Sequence, residues 1–231
     1  MIYAFVNPDP LLTTPTDSAV TADLATGLST LLAAADLIPV TGRDEEQVIE
    51  VPSAFTSWQI LLHGAVVITP DGDQDPAWRR LIRQSQAAHA DALTLAAQAI
   101  EHITMFSHLG LDVEVVSREG YPLLVRAAHP HALGLALDAA ATEWKDWIDG
   151  GPFAADLRLL RDHGSLVVLP RDISADSAVN YVMGQLEDVT MTLGVGATDA
   201  DRAFLSLCDL AVIPGALAWL DPAEAQDALD E

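Results

Sequence analysis

Short apolar runs alternate with stretches of helical periodicity along this chain, the pattern of an α/β domain with a mostly parallel sheet. Ile2–Val6 reads as a buried strand stopped by Asn7-Pro8, and 19–35 reads as a helix capped by Asp17 or Ser18. Leu37–Val40 is a second buried strand. It runs into Thr41-Gly42-Arg43 and an acidic helix start at Asp44-Glu45-Glu46, where carboxylates favour a helix N-terminus. Trp58–Leu62 and Ala65–Thr69 predict two strands closed by the turn Pro70-Asp71-Gly72.

From Pro76 the period changes. Trp78–Phe106 is one long helical stretch, Leu111–Ser117 and Pro122–Ala127 form a hairpin through Arg118-Glu119-Gly120, and a further helix covers 131–148. This helix–hairpin–helix is an α+β insertion, with Gly150-Gly151-Pro152 as its exit. The parallel pattern then resumes with a strand at Ser165–Leu169, a helix at Ala175–Leu186, a strand at Val189–Val195, a short helix through Phe204–Leu207 and a last strand at Leu210–Ile213. The expected architecture is a doubly wound, Rossmann-like core of residues 1–72 and 152–231 with an α+β cap at 73–151. The tail from Asp221 is acidic and expected to fray.

Composition narrows the partners. Among 231 residues, 34 acids face 11 bases, a net charge of −23. That field repels phosphate backbones and anionic headgroups, which argues against nucleic-acid and membrane partners. No apolar run reaches the length of a membrane span, and Met1–Val6 reads as a strand rather than a signal peptide. The single Cys208 excludes an internal disulfide and fits a reducing cytoplasm. Lys145 is the only lysine.

Three loops follow strands at their carboxyl ends, where open α/β sheets bind ligands: Asn7-Pro8-Asp9, Thr41-Gly42-Arg43 and Gly196–Asp201. Each has a plain structural reading. Thr41-Gly42-Arg43 is a strand-to-helix turn, Asp201 an acid in a first helical turn, and Asp9 part of an Asx turn. Pro130 between His129 and His131 favours a solvated turn over a ligand pair, and no metal-binding histidine spacing occurs. Trp144 and Trp147 read as cap core.

Taken in order, Phe5-Val6-Asn7-Pro8-Asp9, Ile38–Arg43, His63-Gly64-Ala65 and Gly196…Asp201…Asp209 resemble the haloacid dehalogenase-like phosphatases, closest to the sugar-phosphate branch with a large cap, such as sucrose-phosphate phosphatase. The resemblance implies an aspartate nucleophile, an aspartate acid/base two residues on, a Thr or Ser and a Lys holding the phosphoryl group, and acids binding Mg²⁺. Here Asn7 stands at the nucleophile position, Asp9 at the acid/base and Leu11 at the motif threonine. Thr41 is intact. Ala175 replaces the lysine, and Gly196 and Asp201 are kept while Ala197 replaces an acid. Lys145 falls in the cap, and Arg171 is the cation left to supply charge. A shifted register, with Asp9 as nucleophile and Thr13 as the motif threonine, leaves Ala175 and Ala197 unexplained. For His63 both pocket lining and a structural place stay open.

The expectation is a catalytically degenerate phosphatase relative that keeps a phosphate-facing cleft of Asn7, Asp9, Thr41, Gly42, Arg43, Gly196 and Asp201, with no metal assigned. Its partners would be a phosphorylated small molecule or a protein. The alternatives are an active Mg²⁺-dependent sugar phosphatase using Asp9, and an acidic protein-interaction module.

Overall fold

The computed structural model of the chain describes residues 1–9, 27, 30–51, 53, 55–162, 164–196 and 198–213. Four parallel strands form the core sheet. β1 (Ile2–Val6) lies between β2 (Asp36–Pro39) and β9 (Met191–Val195), and β10 (Leu210–Val212) borders β9. Residues alternate faces along β1. Tyr3 and Phe5 enter one apolar cluster with Ile38, while Ala4 and Val6 enter another with Leu193 and Val195. A strand covered on both faces reads as an unbroken apolar run, as Ile2–Val6 does. Residues 27 and 30–32 of the helix expected at 19–35 are helical; Leu11, Thr13, Ala197 and the tail from Asp221 lie outside the described residues.

After β2, the four-residue helix α1 (Glu45–Val48) starts from a capping box in which Asp44 accepts from the Glu46 and Gln47 amides and Gln47 reaches back. β3 (Gln59–Leu61) and β4 (Val66–Ile68) pair antiparallel as a separate ribbon. The long helix α2 (Pro76–Phe106) begins with Asp75 as its cap and Pro76 at its first position. Its first turn is tied to the core, since Trp78 Nε1 donates to the Gly64 carbonyl and Tyr181 Oη donates to Asp75.

The second sheet is antiparallel, in the order β5 (Asp112–Arg118), β6 (Tyr121–Ala128), β8 (Ser165–Pro170), β7 (Leu157–Asp162). Two helices accompany it, α2 and α3 (Gly134–Gly150). This corrects the placement of Ser165–Leu169, which pairs here with β6 and β7 rather than resuming the parallel sheet. The reason is burial on two sides. Leu166 and Val168 join the apolar cluster under α2 and α3, and Val167 and Leu169 join the core cluster with Phe5 and Ile38. A central strand of a sheet packed on both faces has the same continuous apolar signature as a parallel one. β7, absent from the sequence pattern, pairs in register with β8 from Leu157↔Pro170 to Asp162↔Ser165. α4 (Ala175–Met183) and α5 (Arg202–Leu205) complete the described elements, and no described helix is long and apolar enough to cross a membrane.

Candidate active site

Three core strands release their chains at one edge. Asn7 N still donates to the Val195 carbonyl, Val40 N to Val6, and Thr41 N to Ile60, so Asn7 and Thr41 are fixed by the last backbone bonds of the core. Both are buried. Asn7 Nδ2 donates to Asp201 Oδ1 at 2.8 Å, and Asn7 Oδ1 accepts the Asp9 amide at 3.0 Å, closing an Asx turn. The second oxygen of Asp201 accepts from Thr198 N at 2.8 Å and Thr198 Oγ1 at 2.9 Å. Gly196 is required here, because a Cβ would stand 2.7 Å from Asp201 Cβ.

Asp9 turns to the second loop. Arg43 grips it with Nε at 3.0 Å from both oxygens and Nη2 at 2.7 Å from Oδ1, while Thr41 Oγ1 donates to Oδ2 at 3.0 Å. A bidentate guanidinium–carboxylate pair is among the stronger charged contacts, and this hydrogen bonding holds Arg43 above its ordinary pKa. Asp9 and Arg43 line an open crevice of about 330 Å³ with Arg126 and Asp162.

Beside it a smaller cavity of about 50 Å³ is lined by Asn7, Thr41, His63, Arg158, Ala175 and Asp201, among others. At about 10–15 Å³ per water, that is room for a few solvent-sized groups. The antiparallel sheet supplies one wall. The strand period of two turns Leu157 and Leu159 to the hydrophobic cluster and presents Arg158, Leu160 and Asp162 to the cavity.

His63 sits in a left-handed turn, with φ of 49°, 57° and 95° at Leu62, His63 and Gly64. For the two non-glycine residues that backbone is strained, as is common at functional sites. The turn depends on Gly64, whose Cβ would meet the Ser174 carbonyl at 2.3 Å. Burial pushes the His63 pKa down, against the opposing pull of Asp162, whose Oδ2 lies 3.6 Å from Nε2. His63 Nε2 and Arg158 Nε are both buried without a hydrogen-bond partner. Such orphaned groups cost about 1–3 kcal/mol each, so two beside one cavity require explanation.

The structure therefore gathers Asn7, Thr41, Gly42 and Asp201 around the small cavity, puts Asp9 and Arg43 on the adjoining crevice, and uses Gly196 to admit Asp201. It places His63 in the lining, one of the two places left open for it. Arg171, the cation expected near the site, instead bonds the Ala154 carbonyl and Asp149. Those bonds tie its guanidinium to Ala154 and Asp149, and it is not among the residues that line the cavity. Arg158 and Asp162 were missed, and the only signal was an arginine and an acid at alternate positions of a leucine-rich run. Cys208 is partly buried, its thiol pushed up to about 11 by burial, which fits an inert thiol. His129 and His131 stand at an α3-side turn, Trp144 is buried in the cluster beneath α3, and Trp147 packs against Phe153.

The residues present do not fit Mg²⁺. Hard cations take oxygen ligands, yet the Asn7 amide N–H is aimed at Asp201 and both Asp201 oxygens already accept hydrogen bonds. Among the described residues no three His, Cys, Asp or Glu side chains cluster as a metal site.

The parallel core, the antiparallel cap sheet and the carboxyl-end cleft make this the fold of the haloacid dehalogenase-like phosphatases. Among solved structures, sucrose-phosphatase from Synechocystis, in complex with sucrose and phosphate, superposes with a TM-score of 0.57 at 19% identity over 96% of this chain and 87% of that one. Plasmodium falciparum IMP-nucleotidase, truncated at its C-terminus, gives 0.58 at 12% identity over 99% and 70%. The C-terminal domain of Candida albicans trehalose-6-phosphate phosphatase gives 0.51 at 11% over 89% and 72%. No protein-family model matches the sequence, and neither does any curated protein.

Proposed function

We propose that this chain is a catalytically degenerate relative of the haloacid dehalogenase-like phosphatases, a cytoplasmic protein that keeps a phosphate-facing cleft for binding or regulation and no longer turns substrate over. The ligand class is a phosphorylated small molecule, with regulation of a protein partner as the outlet. One observation carries the reading: at the end of β1, where this chemistry needs a carboxylate, stands Asn7, its amide donating to Asp201 at 2.8 Å. An amide is a far weaker nucleophile than a carboxylate, and this one is committed on both its nitrogen and its oxygen. Asp9, the remaining acid of the loop, is closed into its pair with Arg43 and Thr41. The domain division belongs to the same proposal. A core of 1–72 with a cap from 73 accords with the sheets, while the return to the core is better placed after Pro170 than at 152, because β8 pairs with the cap strand β6 and β7 with β8.

The test is an assay of purified protein against a panel of sugar phosphates with Mg²⁺, beside calorimetry with orthophosphate. Binding without turnover is the expected result. Metal-dependent hydrolysis at an ordinary enzymatic rate, abolished by Asp9→Ala, replaces this reading with an active phosphatase.

A further inference from the structure

We infer that Arg158, delivered from the cap sheet by β7, is the anion-holding cation of this cleft, in the role that the alanine at position 175 leaves vacant. The inference rests on the phosphate-facing reading above and deepens it by naming the residue on which that binding depends.

Position comes first. Arg158 and Ala175 line the same small cavity as Asn7 and Thr41. Arg158 Nη2 donates to the Ile173 carbonyl at 2.7 Å, two residues before Ala175, which anchors the guanidinium against the loop that leads into α4. Its Nε is buried and has no partner, so one arm of the fork is anchored and another donor is left over. A guanidinium presents donors in a fixed planar geometry suited to two oxygens of one oxyanion. The second orphaned nitrogen, His63 Nε2, belongs to the same lining.

Charge makes Arg158 decisive. Among the described residues it is the only arginine or lysine lining this cavity; the acids there are Asp162, Asp176 and Asp201. Asp201 is engaged by Asn7 and Thr198. Remove the guanidinium, and the carboxylates are left without an arginine or lysine among the described residues of the lining to offset them. Burial lowers the Arg158 pKa, but an arginine stays protonated under any physiological condition. Because Arg158 comes from the antiparallel sheet while Asn7 and Thr41 come from the parallel one, a bound oxyanion bridges the two.

Orthophosphate binding to the full chain, followed by calorimetry, tests this with Arg158→Ala, Arg158→Lys and the double variant Arg158→Ala/Ala175→Lys. The expected result is a loss of about 10–100-fold in affinity for Arg158→Ala, since charge-assisted contacts of this kind are worth that much. Arg158→Lys should keep only part of the affinity, because an ammonium keeps the charge and loses the fork, and Ala175→Lys should restore part of it in the Arg158→Ala background, which a merely structural arginine would not allow. The Arg158 Nε–H resonance of the wild-type protein should shift on titration with phosphate, and that readout holds even if Arg158→Ala fails to fold. Unchanged binding by a folded Arg158→Ala, or a resonance that does not move while phosphate binds, overturns the assignment and leaves the phosphate-facing cleft standing. A wild-type protein that binds no orthophosphate overturns both.

Discussion

The amide of Asn7 and the carboxylate of Asp201 meet at 2.8 Å across the end of the core sheet, 194 residues apart in the chain. The neutral amide satisfies an oxygen of the buried Asp201 without setting a second charge beside it. Replacing Asn7 by Asp should therefore set two carboxylates against each other where water cannot screen them. The expected loss is about 2–4 kcal/mol at neutral pH, by analogy with other buried charges left without a partner. Part of it should return on adding Mg²⁺, because a cation that binds only the folded state stabilises it. Urea denaturation of Asn7→Asp with and without Mg²⁺ measures both effects; a variant as stable as the wild type without metal contradicts the first.

Gly42 makes the close approach of the two sheets possible. A Cβ there would lie 2.5 Å from the His63 ring and 2.6 Å from Asp162 Oδ2, and Arg126 Nη2 donates to the Gly42 carbonyl at 3.0 Å. Neither the strained His63 turn nor β7 can retreat freely. Gly42→Ala should cost about 1–3 kcal/mol, the usual range for overpacking, and should separate the His63 ring from Asp162. Denaturation midpoints test the first expectation. A histidine proton resonance that keeps its wild-type shift would count against the second.

The core was legible because its strands carry the two-faced apolar signature without ambiguity: Ile2–Val6 and Leu37–Val40 could be little else. So were the loops, since Asn7, Thr41 and Asp201 each follow a strand or open a helix. What stayed hidden is non-local. Ser165–Pro170 looks like a parallel core strand because it too is buried on both faces, and only its pairing with β6 tells the difference. Arg158 was invisible for a related reason. Linear spacing cannot report that an alternating strand in the cap points its odd residues into its own cluster and its even ones into the cleft. The mutual closure of Asp9 and Arg43, 34 residues apart, is likewise a product of folding rather than of any motif.

His63 gives the protein a defined acid sensitivity. Desolvation by burial lowers its pKa from the ordinary 6.5, with Arg126 and Arg158 acting in the same direction and Asp162 and Asp9 opposing. Below about pH 6.5 the unfolded chain then binds more protons at this residue than the folded one, so stability rises with pH. The contribution of neutral His63 is complete above the unfolded pKa and is lost as pH falls from there toward the folded value, by at most about 1.4 kcal/mol per pH unit. His63→Asn removes the titrating ring while tolerating the left-handed φ of 57°. Its stability curve should be flatter than that of the wild type over this interval, and parallel curves would show that His63 is not the group responsible.

The degenerate reading also predicts what would reverse it. A carboxylate at position 7 supplies the missing nucleophile and an oxygen ligand beside Asp201, and a lysine at position 175 adds an ammonium to the cavity that Arg158 lines. Because Arg158 already places a cation in this cavity, Asn7→Asp should bring most of the gain by itself and Ala175→Lys alone should do little. Asn7→Asp, with or without Ala175→Lys, should hydrolyse a small aryl phosphate at least about tenfold faster than the wild type, and only when Mg²⁺ is present. Initial rates for wild type, both single variants and the double variant decide the matter. If only the double variant gains, Ala175 is a true deficit and Arg158 does not stand in for the lysine. If the wild type is already the fastest of the four, the chemistry runs through Asp9 and the loss at position 7 was never a loss of function.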